Sequence, residues 1–273
     1  MKIATWNVNG IRAREAQVRD WLARERPDAV CLQEIKAKPE QIPELLFESE
    51  GYWCYWHGAG GYSGVALHLR KELCAARPVF GHPAFDHETR IVTADVGDLT
   101  LASVYVPNGG KDYAAKLRFL EALGGWAEAV RGSGRRLVVC GDLNVALTDR
   151  DVHPKELKPG VVGQREDERA LMRRLLDQGL VDVGRAMDPD NEALFTWWAP
   201  WRNLRQRNIG WRIDYILASE ALARTTTESA VRADVGTSDH APVVATFSGA
   251  LDAPTGAENG SRLTHGRGTD GPR

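Results

Sequence analysis

The segment NIGWRIDYIL, residues 208–217, is typical of a strand about to be buried, because Ile213, Tyr215 and the residues after them are large and apolar. Asp214 lies in the middle of this run. An unpaired carboxylate in a dry core costs several kcal/mol, so Asp214 needs a partner. The sequence therefore predicts a buried strand whose carboxylate is paired with a group from elsewhere in the chain.

Polar groups interrupt or end four further strand-like runs. They are Asn7 and Asn9 after IATW, Glu34 after VCLQ, Asp142 and Asn144 after LVVCG, and Asp239 with His240 in GTSDHAPVV. Singly, each could be a turn former, a helix cap or a structural histidine. Together they are carboxylate and amide oxygens suited to Mg²⁺ or Mn²⁺, on the strand-end loops where catalytic groups collect. The set indicates metal-assisted attack of water on a phosphate ester.

The composition excludes several classes of protein. A chain of 273 residues with 43% hydrophobic and 26% charged residues is typical of a soluble globular protein, without a membrane-spanning run or a signal-peptide layout. The four cysteines contain no CxxC pair, which favours buried free thiols and a cytoplasmic location over a cysteine-rich zinc site. A net charge of −2 means that any contact with nucleic acid must be local.

The pattern of strands and helices predicts an α+β fold. Helices are predicted at 12–25, 116–130 and 166–178, and strands at 3–8, 29–34, 52–57, 64–69, 90–95, 99–106, 135–144, 212–217 and 243–247. Strict βαβ alternation is missing, which favours sheets covered by outer helices. Residues 249–273 contain six glycines, two prolines and no aromatic residue, so we expect one folded domain over 1–248 and a disordered tail.

Six blocks of sequence carry a resemblance to a known family. TWNVNGIRA, LQEIK, YVPNGG, GDLNVA, GWRIDYILAS and TSDHAPV occur in the order found in the exonuclease III family of apurinic/apyrimidinic (AP) endonucleases, and the match runs from residue 1 to about 247. GDLN and SDH are shared across the wider endonuclease/exonuclease/phosphatase superfamily. The resemblance implies a four-layer α/β sandwich of two packed, mixed but mainly antiparallel sheets flanked by helices, with the site at one edge.

The family's metal site maps onto a few oxygen-bearing residues. The resemblance implies that Glu34 binds the catalytic Mg²⁺ or Mn²⁺, with Asn7 and Asp239 nearby. Asn9 stands where several relatives have an aspartate, and a neutral amide binds a divalent ion less strongly.

The resemblance also implies catalytic roles. Asp142 orients or activates water, Asn144 helps to place it, and Tyr105 and Asn108 contact the scissile phosphate. His240 then stabilises the charge on a non-bridging oxygen. We expect His240 to be the partner of Asp214, which would fix its tautomer and favour its protonated form. The alternative partners of Asp214 are Arg212 and a backbone turn.

Residues 197–212 are the expected DNA face, because they contain four of the nine tryptophans and four arginines with no acidic residue. The alternative is a purely structural role, with the tryptophans clustered in the core beside a solvated loop. The resemblance implies a pocket for a flipped-out abasic sugar and basic side chains on the DNA. The residues implied are Trp197, Trp211 and Ile213 for the pocket and Lys111 for the DNA. The acid-free run 197–212 itself predicts that Arg205 and Arg207 contact the DNA backbone.

The expected function is a monomeric DNA-repair nuclease acting on duplex DNA with abasic sites or blocked 3′ ends. Its activities would be AP endonuclease, 3′-phosphodiesterase and 3′→5′ exonuclease. One alternative is a phosphatase or phospholipase of the same superfamily, which the run of arginine and tryptophan at 197–212 disfavours. The other is an inactive DNA-binding relative, which the retained acidic residues and His240 disfavour.

Overall fold

A computed structural model describes residues 1–42, 45–48, 50–74 and 76–249. The expected tail, 249–273, lies outside the described residues apart from Gly249, so it stays a prediction, as does the domain boundary at 248. Within the described ranges, no helix is both long and apolar enough to cross a bilayer.

Within the described residues, twelve strands form two six-stranded sheets. The strands are β1 (Lys2–Asn7), β2 (Ala29–Gln33), β3 (Tyr52–His57), β4 (Val65–Arg70), β5 (Phe80–Gly81), β6 (Ile91–Val96), β7 (Leu99–Tyr105), β8 (Arg136–Asp142), β9 (Leu180–Asp182), β10 (Asp214–Ser219), β11 (Thr226–Val231) and β12 (Val243–Phe247). Sheet A has the order β11-β12-β1-β2-β4-β3, and sheet B has the order β5-β6-β7-β8-β10-β9. Only the pairs β1–β2 and β7–β8 are parallel, so the predicted mixed, mainly antiparallel sheets are confirmed.

Helices pack against both sheets. They are α1 (Ile11–Glu25), α2 (Leu45–Glu48), α3 (Tyr113–Gly132), α4 (Glu166–Leu176), α5 (Val183–Met187) and α6 (Glu220–Ala223). One apolar cluster fills the space between the sheets, a second joins α1 and α2 to sheet A, and a third joins α3 and α4 to sheet B. These three interior layers account for the predicted four-layer sandwich, because each sheet buries both faces.

The strand ends meet at one edge of the sandwich. In the parallel pairs, Asn7 lies opposite Gln33 and Tyr105 lies opposite Asp142. In the antiparallel pair β8–β10, Asp142 lies opposite Asp214. The register of the sheets therefore brings side chains from distant parts of the sequence to the same place.

The differences from the predicted elements are local. Strand β10 begins at Asp214 and not at 212, so the critical carboxylate opens the strand. The sequence missed β5 and β9, which have two and three residues, and β11, whose sequence TTESAV is largely polar. Cys31 and Cys140 are buried free thiols, as predicted.

His68 is a buried titratable group on β4. Its ring stacks on Phe47 at a centroid distance of 4.0 Å and lies 4.3 Å from the ring of Trp56. Neither ring nitrogen has a hydrogen-bond partner among the described residues. Burial lowers the pKa of His68 to about 3, so this ring is neutral in the folded protein at every ordinary pH.

We predict that His68 makes the fold sensitive to acid. The unfolded chain binds a proton at this histidine below its ordinary pKa of ~6.5, whereas the folded chain does not, so stability is lost as the pH falls. The contribution is about 1.4 kcal/mol per pH unit below that value. The free energy of unfolding is measured in urea at several pH values between neutral and mildly acidic. Its decrease with falling pH should be smaller in His68→Leu than in wild type, whereas the same change at the exposed His87 should leave the decrease unchanged. Equal slopes of unfolding free energy against pH for wild type and His68→Leu would contradict this prediction.

Candidate active site

A carboxylate–imidazole pair lies at the centre of the strand-end edge. His240 Nδ1 is 2.9 Å and 3.2 Å from the two carboxylate oxygens of Asp214, and both residues are buried. The Thr196 hydroxyl donates a further hydrogen bond of 2.6 Å to Asp214 Oδ2. The hydrogen bond that the sequence predicted between Asp214 and His240 is therefore present, and Thr196 is a partner that sequence reasoning missed.

Arg212, the alternative partner of Asp214, is engaged elsewhere. Its guanidinium lies 2.7 Å from a carboxylate oxygen of Asp151 and 2.7 Å from one of Asp182. The three groups are almost fully buried and form their own charge network. Arg212 thus stabilises the loop that precedes β10 and leaves Asp214 to His240.

His240 is held in its protonated form. Burial alone would lower the pKa of His240, but the negative charges of Asp214 and Asp142 outweigh it and raise the pKa to about 10. Since Nδ1 donates to Asp214, the second ring nitrogen faces the site, where Nε2 lies 3.8 Å from Asp142 Oδ2. A fixed N–H on a positive ring can donate to an anionic oxygen that enters this space.

Asp142 ends β8 and titrates near neutral pH. Its carboxylate accepts hydrogen bonds from the side chain of Asn7 (2.9 Å) and the backbone N–H of Asn144 (3.0 Å). Burial is the main cause that raises the pKa of Asp142 to about 7, and the charge of Asp214 adds to it. A carboxyl group in this range can take a proton from water and release it again.

Asn7 joins the two acidic halves of the site. Its side-chain nitrogen donates to Glu34 Oε1 at 2.9 Å as well as to Asp142, while its carbonyl oxygen Oδ1 accepts the backbone N–H of Asn9. The hydroxyl of Ser238 donates to the backbone carbonyl of Asn7 at 2.7 Å. Asn7 therefore lies beside Glu34, as predicted, but it contacts Glu34 as a hydrogen-bond donor.

Glu34 is an ionised carboxylate with several donors around it. Tyr105 donates its hydroxyl to Glu34 Oε1 at 2.9 Å, and the Lys36 ammonium lies 2.7 Å from Glu34 Oε2. Burial would raise the pKa of Glu34, but hydrogen bonds from Asn7 and Lys36 outweigh it and hold the pKa below its ordinary value. Lys36 was missed, although it stands two residues after Glu34 in the block LQEIK.

Asn9 and Asp239 extend the polar site. Lys36 Nζ donates to Asn9 Oδ1 at 2.6 Å, and Asn9 Nδ2 donates to Asp239 Oδ1 at 2.8 Å. The other oxygen of Asp239 accepts the indole N–H of Trp197 at 3.0 Å. Glu34, Lys36, Asn9 and Asp239 thus form one continuous chain of polar contacts.

The acidic groups fit a divalent metal ion. Ligand atoms of Glu34, Asp142 and His240 all lie within 4.8 Å of one another. A protonated imidazole cannot bind a metal, so the carboxylates are the ligands that this set offers. Asp239, whose carboxylate is ionised, lines the same cavity but is not part of this cluster. Carboxylate and amide oxygens suit a hard ion such as Mg²⁺ or Mn²⁺.

A cavity of about 370 Å³ opens beside these groups. Its lining contains Glu34, Tyr105, Asn108, Asp142, Asn144, Val162, Gly163, Trp197, Trp211, Ile213, Asp239 and His240. The rings of Trp197 and Trp211 meet edge to face at a centroid distance of 5.6 Å. The pocket residues that the sequence indicated therefore come together, and Val162 and Gly163 join them from a loop that carried no sequence signal.

A buried ion pair supports one wall of the cavity. Lys116 and Glu168 form a salt bridge between α3 and α4, and both side chains are fully buried. Lys116 Nζ donates to the backbone carbonyl of Asn144 at 2.7 Å, and Glu168 accepts the backbone N–H of Gly163. A Cβ atom at Gly163 would lie 2.7 Å from the Trp211 ring, so the ion pair fixes the backbone on which Trp211 rests.

The basic residues expected on DNA differ in the contacts that they make within the protein. Arg205 donates to the backbone carbonyls of Ala233, Val235 and Ser238, and so anchors the segment that leads to Asp239. Three of the five N–H donors of Arg205 are therefore engaged within the protein, and its contact with DNA stays a prediction. Arg207 and Lys111 are exposed, and neither makes a side-chain hydrogen bond or ion pair within the described part of the chain.

Comparison with known proteins agrees with this geometry. The model of the Endonuclease/Exonuclease/phosphatase family matches residues 4–240. The Exodeoxyribonuclease of Bacillus subtilis (strain 168) is 34% identical over 253 residues, which cover 89% of this chain and 98% of that protein. The Recombination repair protein 1 of Drosophila melanogaster is 34% identical over 262 residues, and 90% of this chain spans 37% of that longer protein.

A solved structure adds the same relationship at the level of the fold. The AP endonuclease from Archaeoglobus fulgidus has a TM-score of 0.81 and 33% sequence identity, with 90% of this chain and 99% of that chain covered. The match spans both sheets and the strand-end edge. On these findings, the chain belongs to the endonuclease/exonuclease/phosphatase family, and within it to the group of exodeoxyribonuclease III and the AP endonucleases.

Proposed function

We propose that this protein is a DNA-repair nuclease that hydrolyses the phosphodiester on the 5′ side of an abasic site in duplex DNA. The same site would remove 3′ blocking groups and 3′-terminal nucleotides, as a 3′-phosphodiesterase and 3′→5′ exonuclease. The observation that carries the proposal is geometric: His240 Nε2 faces the Asp142 carboxylate at 3.8 Å, beside a cavity walled by two tryptophans. Relatives named for both nuclease activities support it.

The reaction is a displacement at phosphorus. Water forms a bond to phosphorus as Asp142 takes its proton, and the bond from phosphorus to the leaving O3′ breaks. Asn144 and Asn7 hold the Asp142 carboxylate in place. His240 donates from Nε2 to a non-bridging oxygen, where negative charge builds up, and burial makes that donation stronger than it would be in water.

Two further groups position the phosphate. Burial raises the pKa of Tyr105 far above its ordinary value, so its hydroxyl keeps its single proton. Glu34 accepts that proton in the free protein, and a phosphate oxygen would accept it when the substrate binds. Asn108 is exposed at the rim of the cavity, where its amide can reach the next part of the DNA backbone. These contacts hold the reacting bond in line with the water beside Asp142.

Mg²⁺ or Mn²⁺ would be held by the carboxylate of Glu34, with Asp239 supplying a further oxygen and Asn9 a weaker one. When bound, the ion neutralises charge on the phosphate oxygens. Lys36 keeps Glu34 ionised and oriented before the ion arrives.

The shape of the cavity supports an abasic sugar as the favoured substrate. Trp197, Trp211 and Ile213 give it apolar walls that suit a deoxyribose without a base. The exposed Arg207 and Lys111 offer positive charge to the DNA backbone, which reconciles DNA binding with a net charge of −2. We expect the protein to act as a monomer.

The direct test is metal-dependent nicking of a duplex oligonucleotide that carries one tetrahydrofuran abasic site. The same preparation is assayed on an undamaged duplex with recessed 3′ ends and on inositol phosphates. Nicking at the tetrahydrofuran supports the proposal, and the ratio of nicking to 3′ digestion ranks the two nuclease activities. That ratio has to be measured, because identity is 34% to the exodeoxyribonuclease and 33% to the AP endonuclease. Hydrolysis of inositol phosphates alone would replace the proposal with a phosphatase.

The first prediction concerns the metal. EDTA should abolish nicking, and Mg²⁺ or Mn²⁺ should restore it. Glu34→Gln should raise the metal concentration needed for half-maximal rate, because the charged ligand is lost, whereas Glu40→Gln at an exposed position should not. An unchanged metal titration for Glu34→Gln would remove Glu34 from the ligand set.

The second prediction concerns the Asp214–His240 pair. Asp214→Asn keeps the shape but removes the charge, so the pKa of His240 should fall from about 10 towards its ordinary ~6.5. Turnover at neutral pH should drop on the order of 10²-fold. The protonated ring is the active form, so the variant should lose activity as the pH rises through the lowered pKa, where wild type does not.

A double-mutant cycle checks the same pair. The double variant with His240→Asn should be hardly worse than His240→Asn alone, because the two residues act as one unit. Thermal melts identify any loss of fold. Multiplicative losses would separate the two residues.

The third prediction separates the two arginines. Arg207→Gln should weaken duplex binding and reduce the slope of log affinity against log salt by about one unit, the value for one phosphate contact. Arg205→Gln should instead lower the melting temperature, because three backbone carbonyls lose their donor. An unaltered salt slope for Arg207→Gln would show that this residue faces away from the DNA.

A further inference from the structure

A second cluster of metal-ligating side chains lies outside the active site, between the edges of the two sheets. Strand β4 packs over β6, and β2 packs over β7, so the edge strands β3 and β5 are neighbours across the sandwich. Two ring stacks join these edges. Tyr55 stacks on Phe80 at 5.3 Å, and His57 stacks on His82 at 4.5 Å with an interplanar angle of 8°.

A carboxylate completes the cluster. Asp86 Oδ2 lies 2.6 Å from His57 Nε2, and ligand atoms of His57, His82 and Asp86 all lie within 4.8 Å of one another. The side chains of His57 and Asp86 are 16% and 10% exposed, whereas His82 is open to solvent. The group is thus anchored on its inner side and accessible to an ion on its outer side.

We propose that His57, His82 and Asp86 bind a divalent transition-metal ion, with Zn²⁺ as the best match. Two imidazoles and one carboxylate are ligands for zinc and its neighbours in the first transition series, and Mg²⁺ prefers oxygen. Ligands of a tetrahedral zinc lie roughly 3.4 Å apart when each is about 2.05 Å from the ion. The 2.6 Å contact between His57 and Asp86 therefore has to open slightly, and His82, whose ligand atom lies within 4.8 Å of theirs, has to adjust its position. The exposed His82 can do so by rotating its ring.

The partners of the three side chains favour an ion over a simple ion pair. A pair of His57 and Asp86 would leave His82 without a role, and the ring of His82 makes no hydrogen bond to any residue in the described ranges. Asp86 is already oriented from behind, because its Oδ1 accepts the backbone N–H groups of Arg90 (2.8 Å) and Ile91 (3.2 Å). Such outer hydrogen bonds are the usual support for a ligating carboxylate.

The ion would act on the fold and not on the reaction. It would tie β3 of sheet A to the end of β5 and, through Asp86, to the start of β6 in sheet B. The segment between β5 and β6 also carries Arg90, whose guanidinium lies 4.8 Å from the centre of the Tyr105 ring. A cation at this edge would therefore strengthen the connection that the two ring stacks and the His57–Asp86 contact already make between the sheets.

The test uses the full-length protein, stripped with chelator and kept in excess Mg²⁺ so that the active site is filled. Zn²⁺ is titrated by calorimetry, Co²⁺ by its visible absorption, and the side-chain ¹⁵N signals of the histidines are followed by NMR. We expect a Zn²⁺ site that shifts the signals of His57 and His82 and raises the melting temperature.

Variants locate the site. His82→Ala should weaken Zn²⁺ binding by about 100-fold or more, because loss of a direct ligand costs at least as much as loss of its outer partners. His87→Ala, a change of the same type in the same segment at an exposed position, should bind Zn²⁺ as wild type does. Nicking with Mg²⁺ should be the same in both variants, since neither residue belongs to the active site.

Two results would overturn the proposal. One is Zn²⁺ binding and thermal stabilisation that are equal in wild type and His82→Ala. The other is Zn²⁺ binding that leaves the signals of His57 and His82 unmoved. Circular dichroism of His82→Ala confirms its fold, and His57→Ala provides a second test at the inner ligand. Neither result bears on the nuclease proposal, which the abasic-site assay tests separately.

Discussion

The site depends on the attraction between the positively charged His240 and the carboxylates of Asp214 and Asp142. Asp142 and Asp214 lie directly opposite each other on neighbouring strands, and both are almost fully buried. Like charges at facing positions of a sheet repel, and removal from water makes each charge costlier still. His240 lies between them, bonded to Asp214 and 3.8 Å from Asp142. A cation between the two carboxylates reduces this conflict, together with the hydrogen bonds from Thr196, Asn7 and Asn144. In the proposed mechanism the same cation stabilises the charge on the phosphate.

That cation needs a rigid loop, and the loop is anchored from several sides. Trp6 donates its indole N–H to the backbone carbonyl of His240 at 3.2 Å, and Ser238 donates its hydroxyl to the backbone of Asn7. Arg205 binds three carbonyls of the preceding segment. The block TSDHAPV therefore owes its position to β1 and to the run 197–212 as much as to its own sequence. Arg205, which was predicted as a DNA contact from its charge, thus also holds the loop that carries Asp239 and His240.

Two features of the sequence made part of the fold and of the site predictable: the periodicity of the strands, and the polar residues placed within apolar strands. Asp214 was visible because a carboxylate in an apolar strand requires a partner, and the ordered motif blocks supplied both His240 and the sandwich fold. Contacts that depend on the packing of distant segments left no local trace. Lys116 and Glu168 read as surface charges on two amphipathic helices, yet both are fully buried against the cavity wall. Likewise, nothing in the sequence around His57, His82 or Asp86 shows that the edges of two different sheets bring them together.

Direct contacts join the walls of the cavity to the acidic site, and these contacts bear on how such an enzyme can select its substrate. An abasic sugar has no base edge to read, so recognition has to rest on the shape and stiffness of the walls. Trp197 contributes its ring to those walls and its indole N–H to Asp239, while Trp211 rests on the backbone of Gly163 that Glu168 holds. A sugar that displaces Trp197 would therefore also move a carboxylate of the metal-binding group. A substrate that fits the cavity poorly would therefore be hydrolysed slowly, because misplacement of about 1 Å at a reacting centre can cost 10²-fold in rate.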